Sequence, residues 1–237
     1  MECSPTVVLI NIPIEENMFS SNIEPLGLLY LRSSLLKAGF NVTLFDFDCH
    51  SYDENILMEF LTRNNVILIG ATVSTASYRT TKMWINSWKR KINIPIVLGG
   101  PHPTGDPTRT MKDIKPDFIF RGEGESGIVD LSLQLKEKGT YFRNIPGLLS
   151  YSDFLSGKCK ETIVYFEKCL DSLPFPVRSP VNNLNNKILN IMGSRGCYHK
   201  CDFCYNSNTE FISNYRIRSI KSIINEIKEN ISLNKNY

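Results

Sequence analysis

The first 140 residues alternate between short apolar runs and longer segments whose apolar residues recur at helical spacing. Unbroken apolar runs are typical of strands covered on both faces, because a strand exposed on one face alternates apolar and polar residues. Five such runs are predicted as strands, at residues 6–13, 41–47, 66–73, 95–98 and 117–120. Helices are predicted at residues 26–37, 55–61, 78–91 and 126–138. This order predicts an α/β domain with a parallel five-stranded sheet and helices on both faces.

The pattern changes after residue 140. Residues 147–164 are predicted as a hairpin that turns at Ser156 and Gly157, and the proline-rich residues 173–180 as a stiff linker. One more strand, at residues 187–192, and an amphipathic helix, at residues 219–233, follow. The predicted domains are therefore 1–140, a connecting segment 141–180, and 181–237.

Ligands of parallel α/β sheets bind beyond the carboxyl ends of the strands, so the loops there hold the candidate contacts. Glycine in such a loop allows close approach of a bulky ligand, although each glycine alone favours a tight turn. A dinucleotide fingerprint is absent, since no GxGxxG follows the first strand. The candidate cofactor contacts are Ser74, Thr75, Gly99, Gly100, Gly122, Glu123 and Gly124.

Composition excludes several classes of function. The hydrophobic fraction of 42% is typical of a folded chain, and a net charge of +3 without a basic stripe predicts no nucleic-acid partner. No apolar run approaches the ~20 residues of a membrane span, and no basic segment precedes the first apolar run, so the predicted location is cytoplasmic. Seven cysteines, an odd number, argue against a disulfide framework.

Three of those cysteines, Cys197, Cys201 and Cys204, crowd into eight residues with the spacing CxxxCxxC. Thiolates are the usual protein ligands of iron–sulfur clusters. Three thiolates on a four-iron cube leave one iron open for another ligand. A zinc site with His199 as its fourth ligand is the alternative, but zinc sites more often use two CxxC pairs. The spacing favours a [4Fe-4S] cluster over zinc.

The run SRGCYHKCDFCYN resembles the signature of the radical S-adenosylmethionine superfamily, with Phe203 in its aromatic position. The fragments EPLGLLYLRSSLLKAGFNV, GGPHPT, FRGEGE, IPGL and LPFPV occur in the order seen in the branch of that superfamily that carries a cobalamin-binding domain. The resemblance implies a Rossmann-like cobalamin-binding domain followed by the first βα unit of a truncated partial TIM barrel.

The same resemblance implies the chemistry. It assigns a [4Fe-4S] cluster to Cys197, Cys201 and Cys204, places Phe203 among the cofactor contacts, and adds S-adenosylmethionine and cobalamin as cofactors. The implied activity is methyl transfer or radical ring formation on a small-molecule substrate, with a reducing electron donor as partner. The alternative is a non-catalytic cobalamin- or nucleotide-binding module with a vestigial cluster loop.

Two histidines, His50 and His102, are weighed as cobalt ligands. The stretch from Asp48 to His50 begins like the cobalamin motif DxHxxG, but Asp53 replaces its glycine, which predicts that His50 does not ligate cobalt. His102 is interpreted as a polar loop residue rather than a cobalt ligand.

The chain ends 33 residues after Cys204, whereas a partial barrel needs well over ~100 residues. We therefore expect a fragment, a split gene that needs its missing C-terminal barrel, or a degenerate copy. Alone, it is expected to bind cobalamin but neither to hold a stable cluster nor to turn over.

Overall fold

A computed structural model of the chain describes residues 4–14, 24–47, 54–137, 145–160, 162–178, 189–204 and 215–233. Its main sheet has six strands in the order β2-β1-β3-β4-β5-β6. The strands are β1 (Thr6–Asn11), β2 (Asn41–Asp46), β3 (Val66–Thr72), β4 (Ile96–Gly99), β5 (Phe118–Phe120) and β6 (Leu148–Ser150). The first five are parallel, as predicted, and β6 pairs antiparallel with β5 at the edge of the sheet.

Helices cover both faces of this sheet, because successive strand residues point into two different cores. On one face, Val8 and Ile10 pack with Trp88; on the other, Val7 and Leu9 pack with residues that include Leu35. The helices are α1 (Leu26–Lys37), α2 (Glu54–Arg63), α3 (Tyr78–Lys91), α4 (Pro101–Gly105), α5 (Pro107–Asp113) and α6 (Glu125–Lys136). The α/β prediction is confirmed; α4 and α5 are short helices that the apolar pattern did not indicate.

The hairpin predicted at residues 147–164 is wrong beyond its first arm. After β6 the chain enters α7 (Tyr151–Leu155), because the Ser150 hydroxyl accepts the Asp153 N–H and caps the helix. The predicted turn at Gly157 instead ends this helix, with a φ of 83°. Tyr165 then returns as a parallel bridge to Gly122.

The described C-terminal residues form a separate two-stranded antiparallel sheet and a helix. These elements are β7 (Ser194–Arg195), β8 (Arg216–Ile217) and α8 (Ile220–Leu233). The strand predicted at residues 187–192 is wrong for residues 189–192, which have no strand pairing, and its first two residues lie outside the described part. The predicted last helix is confirmed and begins after Ser219, whose hydroxyl accepts the Ser222 N–H. Among the described residues, none of the helices is both long and apolar enough to span a bilayer.

Candidate functional site

A cavity of about 320 Å³ opens at the carboxyl edge of the main sheet, between α1 and the start of α6. Most of its wall is apolar, and Gly70 of β3 contributes to it where a side chain would approach Leu9 and Ile128. The wall also includes Met192 and Arg195, which precede the cysteine loop. Residues from both ends of the chain therefore enclose one space. Its lining is Leu26, Gly27, Leu28, Tyr30, Leu31, Gly70, Ala71, Thr72, Val97, Gly99, Gly100, Phe120, Gly122, Glu123, Gly124, Glu125, Ile128, Met192 and Arg195.

Of the eight candidate cofactor contacts, five line this cavity, and Ser74, Thr75 and Phe203 do not. Those in the wall are Gly99, Gly100, Gly122, Glu123 and Gly124. Ser74 instead lines a neighbouring crevice of about 360 Å³ above β1 and β3. The Thr75 hydroxyl is hydrogen-bonded to His102 Nδ1 at 3.2 Å. The structure thus brings together the loops after β4 and β5 and sets the loop after β3 to one side.

The glycines of the wall differ in what they allow. Gly100 has a φ of 101°, and a Cβ there would lie 2.8 Å from Thr72 Oγ1. Gly122 has a φ of 92°, and a Cβ would overlap the Tyr165 carbonyl oxygen. Both are required by the fold itself, whatever they bind. Gly99 is different, because a Cβ at that position would meet no atom within 4 Å. Gly99 therefore faces open space at the ligand edge.

His102 is not part of the cavity wall; its ring lies 4.3 Å from that of Tyr78, burial lowers its pKa, and its Nε2 is buried without a hydrogen-bond partner. On α3, Trp88 is buried in the core and the partly buried Trp84 packs against it. His50 lies outside the described residues.

Glu123 is engaged by arginines from the C-terminal part of the chain. Its carboxylate accepts two hydrogen bonds from Arg216, at 2.7 and 2.8 Å, and lies 3.3 Å from Arg195. It also accepts the Glu167 N–H at 2.7 Å. Burial acts to raise the pKa of Glu123, but the Arg216 hydrogen bonds and the Arg195 charge outweigh it and lower the pKa overall. The Glu123 carboxylate therefore joins the loop after β5 to β7 and β8 near the C-terminal end of the described residues. A cofactor contact through Glu123 stays a prediction.

The pKa of Glu125, at the start of α6, is shifted in the opposite direction from that of Glu123. It is 4% exposed, and its carboxylate accepts a hydrogen bond of 2.5 Å from Arg195. Burial raises its pKa, and the opposing charge of Arg195 only partly offsets that effect. Burial likewise opposes the charge on Arg195, but Glu125 outweighs it and raises the pKa of Arg195. The Arg195 guanidinium also lies over the Tyr30 ring, 5.1 Å from its centroid.

The cysteine loop begins two residues after Arg195. Cys197 and Cys204 are half-buried and Cys201 is exposed. Within the loop, the Cys204 N–H donates to the Cys201 carbonyl at 3.0 Å, and Phe203 is 93% exposed. In the part of the chain that the structure describes, no three His, Cys, Asp or Glu side chains converge as ligands of one metal ion. This arrangement gives no support to the zinc alternative with His199. A [4Fe-4S] cluster at the three cysteines stays a prediction, since cysteine thiolates are the usual protein ligands of such clusters.

Sequence reasoning missed a buried ionic junction between α1 and α8. Arg178 pairs with Glu24 at 3.1 Å and with Glu226 at 3.5 Å, and Arg218 donates to Glu226 at 2.5 Å and to the Tyr30 hydroxyl at 3.2 Å. Glu226 is fully buried. The alternation Arg216-Ile217-Arg218 is the sequence feature that could have indicated buried arginines. In the structure the isoleucine is 68% exposed and Arg218 only 3% exposed, the reverse of an ordinary surface strand.

Known proteins resemble this chain in sequence over most of its length. The family model of the B12 binding domain matches residues 18–132. An uncharacterized methyltransferase of Pyrococcus horikoshii is 28% identical over 214 residues, which cover 86% of this chain and 45% of that protein. The anaerobic magnesium-protoporphyrin IX monomethyl ester cyclase of Synechocystis sp. is 25% identical over 244 residues, which cover 93% and 46%. The chain therefore spans less than half the length of these relatives.

Solved structures share the fold over nearly the whole chain. TsrM, a radical S-adenosylmethionine methyltransferase of Kitasatospora setae solved with cobalamin and a [4Fe-4S] cluster bound, has a TM-score of 0.72 at 18% identity, over 98% of this chain and 47% of that one. OxsB, a cobalamin-dependent S-adenosylmethionine radical enzyme solved with aqua-cobalamin, has a TM-score of 0.76 at 20% identity, over 98% and 32%. Residues 18–132 therefore match the family model of the B12 binding domain, and the chain shares the fold of the solved TsrM and OxsB structures.

Proposed function

We propose that this chain supplies the cobalamin site and the cluster loop of a radical S-adenosylmethionine enzyme that transfers a methyl group or forms a ring. The observation that carries the proposal is the shared wall of the cavity. Strand ends of the B12 binding domain form one side of it, and Met192 and Arg195, which lead into the cysteine loop, close the other. A ligand in this cavity would therefore lie next to the segment that holds the three thiols.

The residues of the cavity fit part of a large, mostly apolar ligand. The wall is built from residues such as Leu28, Val97 and Ile128, and Gly99 leaves open space at its rim. A cavity of about 320 Å³ is at the small end of ligand pockets, so it would take one arm of a cobalamin while the corrin lies outside. The neighbouring crevice beside Ser74 gives the larger ring room at the same edge. Cobalamin, when bound, would carry the methyl group or take part in the radical step.

The cysteine loop would hold the second cofactor. Cys197, Cys201 and Cys204 would hold the cluster, which would supply one-electron reduction of S-adenosylmethionine. The exposed Phe203 would cover one side of that site. We also propose the domain limits 1–140, 141–180 and 181–237, with a substrate chamber completed by βα units from beyond this stretch. An external reductant and a small-molecule substrate are the proposed partners.

The first test is binding of cobalamin by the whole chain. Equilibrium dialysis against hydroxocobalamin, read by its visible absorbance, is expected to show one site per chain. The second test is anaerobic reconstitution with iron and sulfide, which is expected to give a broad visible absorbance only if the loop holds a cluster. That absorbance should disappear in Cys201→Ala and persist in Cys169→Ala, a matched exposed cysteine outside the loop. A Cys201-dependent chromophore would also overturn the expectation that the chain alone holds no stable cluster.

A second candidate, a binding module without radical chemistry, is favoured by two observations. The cysteine side chains do not converge, and Phe203 is almost fully exposed. This candidate predicts cobalamin bound at one site and no iron retained by wild type after reconstitution, so a chromophore that depends on Cys201 would exclude it. Retained iron that is unaffected by Cys201→Ala would count against both candidates, because neither allows a cluster held elsewhere.

A further inference from the structure

Arg195 joins the cavity to the cysteine loop through directional contacts. Its guanidinium donates to Glu125 at 2.5 Å, lies 3.3 Å from Glu123, and covers the Tyr30 ring, while its Nε donates to Met192 Sδ at 3.3 Å. All four of these partners line the cavity, as does Arg195 itself. The side chain is 11% exposed, so these contacts are screened little by water.

The backbone of Arg195 has a different environment from its side chain. Arg195 is the last residue of β7 and pairs with Arg216 of β8. Gly196 follows with a φ of 82°, and Cys197 comes next. A single turn residue thus separates the anchored arginine from the first thiol. A shift of the guanidinium in the cavity wall would therefore act within two residues of the first thiol.

We propose that Arg195 is a positioning residue that makes the arrangement of the cysteine loop depend on whether the cavity is occupied. This inference rests on the proposed function, since it takes cobalamin as the occupant. A ligand arm packed against Tyr30 and Met192 restricts the space in which the guanidinium can move. Restricting it favours one position of Gly196 and Cys197, so cobalamin bound first prepares the loop for the cluster. Coupling of this kind between two sites is reciprocal.

The contacts favour Arg195 as the link over the other arginines nearby. Arg216 also reaches Glu123, but its guanidinium lies over Phe166 and donates to the Glu167 carbonyl, and it does not line the cavity. Arg218 contacts two wall residues, through the Tyr30 hydroxyl and the Met192 carbonyl, but it pairs with Glu226 and does not itself line the cavity. Among the arginines of the described residues, Arg195 alone lines the cavity.

The test measures thiol reactivity in the iron-free whole chain. Alkylation rates of Cys197, Cys201 and Cys204 are followed by peptide mass spectrometry, with and without saturating methylcobalamin in the dark. Cys169, an exposed thiol outside the loop, is the internal reference. In wild type, methylcobalamin is expected to slow alkylation of the loop cysteines by about fivefold or more, the usual scale of coupling between sites. The rate at Cys169 should not change.

Two variants separate positioning from other effects. Arg195→Met removes the charge and its hydrogen bonds, and Glu125→Gln weakens the same pair from a residue 70 positions away in sequence. Both are expected to lose the cobalamin-dependent slowing when each variant is measured at a methylcobalamin concentration that saturates it, as determined by its own titration, and Arg90→Met, an exposed arginine of α3, should retain the slowing. Direct shielding of the thiols by the ligand would leave the slowing intact in both variants and would overturn the inference.

The remaining outcomes are also decisive. Methylcobalamin that binds wild type without changing the loop rates overturns the role of Arg195 and leaves the proposed function standing. Absence of methylcobalamin binding by folded wild type overturns the proposed function, and this inference with it. Arg195→Lys, which keeps the charge but not the planar guanidinium, is expected to recover only part of the slowing.

Discussion

Substitution of Gly99 by leucine tests the cavity with the least disturbance of the fold. Gly99 ends β4, and a Cβ there would meet no atom within 4 Å, so the added side chain projects into open space in the free protein. Inserting methylenes into a filled space typically costs about 1–3 kcal/mol. Here that cost arises only when a ligand occupies the cavity. At 1.4 kcal/mol per tenfold, affinity for cobalamin should fall by about 5- to 150-fold.

The assay is a hydroxocobalamin titration followed by visible absorbance, with urea unfolding run on the same samples. Gly99→Ala should give a smaller loss of affinity than Gly99→Leu, because it adds one methyl group. Lys136→Leu places the same side chain on the exposed last turn of α6 and should bind as wild type does. If Gly99→Leu keeps wild-type affinity and wild-type stability, the ligand does not enter this cavity and the reasoning fails.

Three further predictions concern stability. Gly100→Ala should lower the free energy of unfolding by about 1–3 kcal/mol, since φ is 101° and a Cβ would press on the neighbouring strand; an unchanged urea midpoint would contradict this. Glu226→Gln should lower it by about 3–5 kcal/mol, because two buried arginines lose their shared charge, whereas the exposed Glu229→Gln on the same helix should change little. Burial acts to raise the pKa of Glu123, but Arg216 lowers it overall from 4.5, so this carboxylate stabilises the fold above pH 4.5 and the contribution is lost as the pH falls through the folded-state pKa. Glu123→Gln should therefore lose less stability than wild type on acidification below pH 4.5, as read by urea unfolding at each pH.

The main sheet could be predicted because its signal is local. Each of the first five strands is an unbroken apolar run, and residues such as Val7 and Val8 enter opposite cores, so the pattern reports burial on both faces directly. The glycines after β4 and β5 were also visible as candidates at the ligand edge. The sequence does not show that a side chain is excluded at Gly100 and Gly122 but has open space at Gly99. That difference depends on atoms of β3, of the residue that follows it and of Tyr165, which are distant in sequence.

The junction could not be predicted because its partners are far apart in sequence. Arg178 and Glu24 are 154 residues apart, and Arg216 and Glu123 are 93 apart. An isolated charged residue is usually solvated, so nothing in the sequence indicates that Arg178 or Glu226 is buried. The failed hairpin has a local cause instead: a serine cap after β6 diverts the chain into α7 before a second strand can pair.

The ionic junction bears on how the two cofactor sites would be held in register. Burying charges is costly, and an apolar contact of similar volume is often at least as stable, so stability alone does not account for this network. Its contacts are directional, however. Glu226 accepts from two arginines, Arg178 also reaches Glu24 beside α1, and Arg218 also reaches Tyr30 within α1. A helix packed only through apolar side chains can slide by small steps, whereas paired guanidinium and carboxylate groups restrict distance and orientation together. The junction therefore fixes α8 against α1, and Tyr30 extends that same contact to Arg195 and the cavity wall. On this reasoning, the buried charges hold the cysteine loop at a defined distance from the ligand edge of the sheet, which a cobalamin and a cluster acting on one substrate would require.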